Sequence, residues 1–335
     1  MKTKILHVIT LDKFIPSYIE FVDQNFDISK HRFMIVGKEK YEYGLTKKHP
    51  IEWLNKKGKF FALLSAAYQA EKIILHGLWI ERINQFLFLQ PWLLKKCYWV
   101  MWGGDFYVPE TQGWVKKQVI KKMGNLVTYL KGDYELAQKW YGAKGHYHEC
   151  FMYPSNLYKE YDILPKAHDV INIQIGNSAD PTNNHLEILE MLVQYKDQNI
   201  KIFAPLSYGD MEYAKTIATR GKEMFGDKFT PLLQFMPFEN YLELLGQIDI
   251  AVFAHKRQQA MGNTITLLGL GKKVYMRSDV TPWPFFMSIG VNVLDVEQLD
   301  IKFLSEGEAR RNKETISGYF SEKKLIEQYT EIFRC

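Results

Sequence analysis

The residues with the plainest chemical potential are Lys256, Arg257, Gln258 and Gln259, which run into Gly262, Asn263 and Thr264. Cations beside a helix start make an anion site, because the first amides of a helix lack internal partners and present about half a positive charge. Asn263 suits an N-cap and Gly262 the turn before it, so a helix is expected over 264–270, stopped by Gly271. A phosphate fits such a turn; the alternative is a solvated basic loop in an ordinary βαβ unit. A second group is acidic. In Trp102-Gly103-Gly104-Asp105-Phe106-Tyr107 the paired glycines let the backbone turn sharply and hold Asp105 at the end of an apolar run. There it is the best general base in the chain, or else a cap for its own turn. His76, which ends the run Ile73-Ile74-Leu75 before Gly77, is the second choice of base, with a hydrogen-bonded structural histidine as its alternative.

These groups sit at the ends of short apolar runs of the kind shown by strands buried on both faces. In the first half such runs are 5–9, 33–36, 72–75, 97–101, 126–129 and 147–150. Helix patterns fall between them at 17–26, 60–69, 81–88, 114–123 and 133–141. Alternation of this sort predicts a doubly wound parallel sheet, with ligands at the carboxyl ends of its strands. Residues 151–169, with Pro154 and Pro165, lose the pattern and read as a linker. The pattern then restarts: 170–175 runs into Gly176-Asn177-Ser178, 201–204 into Ser207-Tyr208-Gly209, and 250–254 into the basic loop. Three turns rich in Gly, Asn and Ser at one sheet edge make a convergent ligand site. The last strand is expected over 291–294 and the last helix over 322–333.

The expected organisation is therefore an N-terminal domain over 1–160, a C-terminal domain over 161–320, and a helix within 321–335 that packs back on the first. In fold class the chain is α/β, with two Rossmann-like domains facing across a cleft, the GT-B plan. Its 335 residues suit two domains, and 47% hydrophobic with 24% charged residues makes an ordinary globular protein. Cys97, Cys150 and Cys335 have neither pairing nor metal-ligand spacing, which points to a reducing compartment and no metal site. The apolar run behind the first residues is short for a leader and contains His7. The longest apolar stretch, 86–94, is interrupted by Gln90 and Pro91 and falls well short of the ~20 residues that cross a bilayer. Charge is uneven, with 24 Lys and Arg against 16 Asp and Glu over 1–165, and 19 against 22 over the remainder. A basic first half suits acidic lipid or nucleic acid; the absence of an RNP, helix-turn-helix or zinc pattern argues against nucleic acid.

Several motifs taken in order resemble the 4-alpha-L-fucosyltransferase family, a GT-B glycosyltransferase family. They are His76-Gly77, the 102–107 turn, Ile175-Gly176-Asn177-Ser178-Ala179-Asp180 with Asn184-His185, Tyr208-Gly209, Phe238-Glu239-Asn240-Tyr241-Leu242, and Arg257-Gln258-Gln259 with Gly262. The chain departs from the family's usual pattern at Gly104, at Ala260 and at Leu78-Trp79. The resemblance implies transfer of N-acetylfucosamine from a dTDP donor to a polyprenyl-diphosphate-linked saccharide in enterobacterial common antigen synthesis. A related capsule or O-antigen enzyme using another nucleotide sugar, or a non-catalytic nucleotide-sugar-binding protein, are the alternatives. It further implies a single inverting displacement with Asp105 or His76 as base and no cofactor. The donor would be held by Gly176, Asn177, Ser178, Tyr208, Gly209, Arg257, Gln258, Gln259, Gly262, Asn263 and Thr264. No Asp-x-Asp occurs, so a metal clamp on the diphosphate is not expected. A lipid-linked acceptor implies peripheral work at the cytoplasmic face of the bacterial inner membrane. The helix pattern over 114–123 offers Lys116, Lys117, Lys121 and Lys122 to an anionic membrane surface, opposite Val115, Val119 and Met123.

Overall fold

The computed structural model describes residues 4–55, 59–160 and 169–334. Cys335 and residues 161–168 of the expected linker, Pro165 included, lie outside them. Two compact units emerge, Met1–Leu157 with Glu322–Cys335, and Tyr158–Ser321.

The first unit alternates strand and helix. It contains β1 (Ile5–Ile9), α1 (Ile15–Asn25), β2 (His31–Val36), β3 (Ile51–Leu54), α2 (Lys59–Gln69), β4 (Lys72–His76) and α3 (Glu81–Leu89). There follow β5 (Cys97–Val100), α4 (Trp114–Lys122), β6 (Asn125–Val127), α5 (Lys131–Tyr141) and β7 (His146–His148). The second unit begins with β8 (Ile171–Ile175), α6 (His185–Leu192), β9 (Ile200–Pro205), α7 (Met211–Phe225), β10 (Phe229–Leu232) and α8 (Phe238–Gln247). It continues with β11 (Ile250–Phe253), α9 (Met261–Gly269), β12 (Lys273–Met276), α10 (Pro282–Ser288), β13 (Leu294–Asp295) and α11 (Glu306–Tyr319). The last helix, α12 (Glu322–Phe333), belongs to the first unit.

Both sheets are parallel, in the orders β3-β2-β1-β4-β5-β6-β7 and β10-β9-β8-β11-β12-β13. Their middle strands are mostly apolar because helices cover both faces: all five residues of β1, His7 included, are buried. The edge strands β3 and β10 are the ones that the sequence pattern does not announce. Glu52 interrupts the first and Pro231 the second, and an edge tolerates both because one side of the strand needs no ladder partner.

Why α12 joins the first unit is legible in its side chains. Leu325, Tyr329, Ile332 and Phe333 are buried, the Tyr329 hydroxyl donates to the Met152 carbonyl, and Gln328 Oε1 accepts the Phe151 amide at 3.2 Å. The Lys72 ammonium donates to the Ile332 carbonyl at 2.6 Å, placing a cation on the helix end that carries partial negative charge.

Candidate functional site

In the second unit the strand order reverses between β8 and β11, and open parallel sheets bind ligands outside the carboxyl ends of strands at such a reversal. Side chains tie together the loops that leave those two strands. Asn184 Nδ2 donates to the Ala254 carbonyl at 2.7 Å, and the Thr182 hydroxyl oxygen lies 2.8 Å from Gln259 Oε1. Asn183 Oδ1 accepts the Asn177 amide at 2.8 Å and lies 2.8 Å from His255 Nε2, so that ring nitrogen carries the proton. Burial, reinforced by Arg257 and His185, pushes the His255 pKa down to about 3, so the ring stays neutral. Asn183 Nδ2 in turn donates to Ser178 Oγ at 3.2 Å. The turn after β9 joins through Asn177 Nδ2, which donates to the Tyr208 hydroxyl at 3.1 Å, and through the backbone bridge of Ala179 with Gly209. Gly176 has φ +60, and a Cβ there would lie 2.4 Å from His185 Nε2, so conformation and space both require glycine.

The structure thus gathers Gly176, Asn177, Ser178, Tyr208, Gly209 and Gln259 at one sheet edge. Arg257 stands with them, its guanidinium 3.9 Å from the Asp180 carboxylate and donating to the Gln258 carbonyl at 3.2 Å. Burial works to raise the Asp180 pKa, but bonds from the Thr182 hydroxyl and amide and the charge of Arg257 outweigh it and hold the carboxyl below its usual range. Three of the buried polar atoms that lack a hydrogen-bond partner among the described residues lie here: Asn177 Oδ1, Gln258 Oε1 and His185 Nε2. Buried polar atoms are rarely left unpaired, so these three suit a polar ligand.

The helix start differs from expectation. Helix α9 begins at Met261, its N-cap is Ala260 at φ +57, and Gly262 and Asn263 are its second and third residues. The chain reverses through a left-handed Ala260, so no Asn cap is needed. Thr264 is buried and its hydroxyl turns back to the Ala260 carbonyl at 3.1 Å, which removes it from the open end. The amides without intrahelical acceptors are those of Met261, Gly262 and Asn263. The sequence reading missed Asn183 and His255, which lock the loops together; their signal was only their place in polar turns after strands.

In the first unit the order reverses between β1 and β4. Both catalytic expectations fall here, and the structure places both side chains beneath the loops. Asp105 is fully buried: Oδ2 accepts the Leu78 amide at 2.9 Å and Trp99 Nε1–H at 2.8 Å, while Oδ1 accepts the Trp102 amide at 3.0 Å. Burial raises its pKa while those donors pull against it. The carboxylate pins the turns after β4 and β5, the capping role given above as the alternative. His76 is also fully buried, with Nδ1 2.9 Å from the Tyr153 hydroxyl and Nε2 3.3 Å from His7 Nδ1. Burial drives its pKa to about 3. As placed, both side chains are closed off from solvent.

Asp12 is more open. It follows β1 at the reversal, is half-buried, and its carboxylate has no hydrogen-bond partner among the described residues. Tyr153, lifted well above its ordinary pKa chiefly by burial, also feels the charge of Asp12. Phe14 and Trp102 stand beside Tyr153, and the Phe14 and Trp79 rings each lie 6.1 Å from Trp102, edge to face. Trp102 Nε1 donates to the Tyr153 hydroxyl at 2.8 Å.

Of the four lysines expected on a membrane face, Lys116 is buried and donates to Gln112 Oε1 at 2.8 Å, and burial lowers its pKa. It points inward because it follows the same helix stripe as the core residues Val119 and Ile120. Lys117 is half-buried; Lys121 and Lys122 are exposed, as is Trp114. Among the described residues no helix is long and apolar enough to cross a membrane.

Comparison with known proteins agrees with this architecture. Residues 3–313 match the model of a family described as 4-alpha-L-fucosyltransferase, glycosyl transferase group 56. A glycosyltransferase from Rickettsia africae superposes with a TM-score of 0.67 at 16% identity, over 99% of each chain. Sucrose-phosphate synthase from Thermosynechococcus elongatus gives 0.68 at 11% identity, over 99% of this chain and 98% of its own. Anabaena HepE, solved with UDP and glucose, gives 0.59 at 12% identity, over 98% and 93%. At such identities these likenesses establish the fold, which is of GT-B type.

Proposed function

This protein belongs to the 4-alpha-L-fucosyltransferase family, and we propose that it moves a deoxyamino sugar resembling N-acetylfucosamine from a dTDP donor to a polyprenyl-diphosphate-linked saccharide in bacterial envelope polysaccharide synthesis. The glycosyltransferase activity follows from the family; the donor, acceptor and pathway are the proposal. One observation supports the donor site above all. At the reversal of the second sheet, Arg257, the free amides of α9 and the unpaired Gln258 oxygen follow β11, on a loop tied to the one after β8 that carries the unpaired Asn177 oxygen. Cation and amides suit a diphosphate, and the orphaned oxygens suit N–H or O–H groups of base or sugar.

In this reading the first unit holds the acceptor, and Asp12, rather than Asp105 or His76, takes the proton from its hydroxyl. That oxygen attacks the anomeric carbon as the bond to the diphosphate breaks on the opposite face, which inverts the centre. Charge developing on the leaving diphosphate is met by Arg257, Lys256 and the amides of Met261, Gly262 and Asn263. Asp105 and His76 hold the loops that carry the aromatic side chains. The acceptor's lipid places the work at the cytoplasmic face of the inner membrane, with Trp114, Lys117, Lys121 and Lys122 against anionic lipid and Lys116 withdrawn.

The test is incubation with a panel of dTDP- and UDP-sugars and a polyprenyl-diphosphate saccharide, following nucleoside diphosphate release and the anomeric configuration of the product by NMR. Preferential turnover of a dTDP-deoxyamino sugar with inversion is expected. Retention, or preference for a UDP-hexose, would overturn the assignment. Sedimentation with acidic but not neutral vesicles, reversed by salt, is the matching test of location.

A further inference from the structure

We infer that the Trp79 indole is the platform on which a pyranose ring of the acceptor stacks, held by the space that Gly77 and Gly104 leave beneath it; this rests on the glycosyltransfer reading above. Trp79 lies just beyond the carboxyl end of β4, at the strand-order reversal, and 45% of its surface is exposed. A single exposed aromatic is ordinary on a protein surface. This one is not merely exposed. A Cβ on Gly77 would lie 2.5 Å from the indole Nε1, and one on Gly104 would lie 2.9 Å from Cη2. Those atoms are at opposite ends of the ring system, so the indole lies across both glycines and any side chain at either position would lift it.

The ring is also fixed from the side. Trp102 meets it edge to face at 68° and is itself held by its bond to Tyr153. The backbone under it is tied down by Asp105, which accepts the amides of Leu78 and Trp102. An indole so restrained loses little freedom when a ligand covers it. Its π face is electron-rich, and the apolar face of a pyranose presents C–H groups of small positive charge, so the two stack while the sugar hydroxyls stay at the rim. Asp12, which follows β1 at the same strand-order reversal, has no partner among the described residues and is free to accept from a hydroxyl. Aromatic faces with few polar groups suit a neutral sugar better than a diphosphate, for which cations are needed.

The test uses the full chain and four forms: wild type, Trp79→Ala, Trp79→Phe and Gly104→Ala. Saturation-transfer NMR with N,N′-diacetylchitobiose as probe reads contact without requiring turnover. Steady-state kinetics with the acceptor that turns over reads KM and kcat. Affinity for dTDP serves as the folding control. Saturation concentrated on the C–H protons of one sugar ring is expected for wild type and Trp79→Phe, at least halved in Gly104→Ala and lost in Trp79→Ala. The acceptor KM should rise tenfold or more in Trp79→Ala while the donor KM stays within twofold. Absence of saturation in the wild type, or a Trp79→Ala variant that keeps both its saturation and its acceptor KM, overturns the platform. Vesicle binding lost in Trp79→Ala with saccharide contact intact would also overturn it, in favour of a lipid contact. Saccharide contact on Trp79 without sugar transfer from any donor would uphold the platform and place the failure on the enzymatic reading.

Discussion

The two sheets share one topology, and at the strand-order reversal of each the loops have been built to opposite chemistry. In the second unit the loops after β8, β9 and β11 are cross-linked by amide side chains, carry Lys256 and Arg257, and keep buried polar atoms unpaired. In the first, the loops after β4 and β5 are closed on Asp105, whose oxygens are all occupied, while the Trp79 ring is exposed and the Asp12 carboxylate, after β1, is half-buried. The topology places a ligand site; the loops decide whether it receives charge or the face of a ring.

The sharpest way to break this contrast is to exchange the roles of the two aspartates. Asp105→Asn would place an amide N–H against donors that a carboxylate now accepts, and should cost about 3 kcal/mol or more of stability, read in urea. Asp12→Asn should leave stability within about 0.5 kcal/mol and lower kcat about a hundredfold, near 2.7 kcal/mol of activation free energy. A stable Asp105→Asn protein with normal folding, or an Asp12→Asn enzyme of normal kcat, would merge the two roles again.

Acid sharpens the comparison further. His76 and His255 are held to pKa values of about 3, and His31 and His185 to about 4, chiefly by burial, with His7 lowered as well. Their folded values lie below the unfolded value near 6.5, so their contribution is fully present above pH 6.5. It is lost as pH falls from there towards the folded values, by about 1.4 kcal/mol per pH unit for each histidine. His7, His31 and His76 lie in the first unit, which also contains every tryptophan except Trp283. Tryptophan fluorescence therefore follows the first unit, and its urea midpoint should drop between pH 7 and pH 5. A midpoint flat across that range would mean that the histidine chain takes up protons without opening.

The smallest effect concerns Ala260, held at φ +57 ahead of α9. A left-handed conformation costs a residue with a Cβ about 1 kcal/mol, so Ala260→Gly should stabilise the second unit by up to that amount, in thermal unfolding. Destabilisation would show that the methyl group packs usefully.

Much of this was legible in the sequence because buried parallel strands announce themselves as unbroken apolar runs, as at residues 5–9 and 72–75, and a polar turn after each marks the ligand edge. Helix α12 was legible through its apolar stripe. Three things were not. Edge strands β3 and β10 carry Glu52 and Pro231, which an edge tolerates and a pattern search rejects. Strand order, which puts β1 beside β4 and so brings Asp12 to the site, is a long-range property that no local pattern encodes. And a rim carboxylate reads the same in sequence whether it faces outward, as Asp12 does, or folds under its own loop, as Asp105 does.

The division of labour between the units is tested most directly by calorimetry of dTDP with the wild type, Arg257→Ala and Asp12→Asn, beside turnover of the same proteins. The account predicts that Arg257→Ala weakens dTDP by about 1.5 to 3 kcal/mol, the range for charge-assisted hydrogen bonds, while Asp12→Asn binds it as the wild type does and still loses turnover. Unchanged dTDP affinity in Arg257→Ala, or equal weakening in Asp12→Asn, would contradict it.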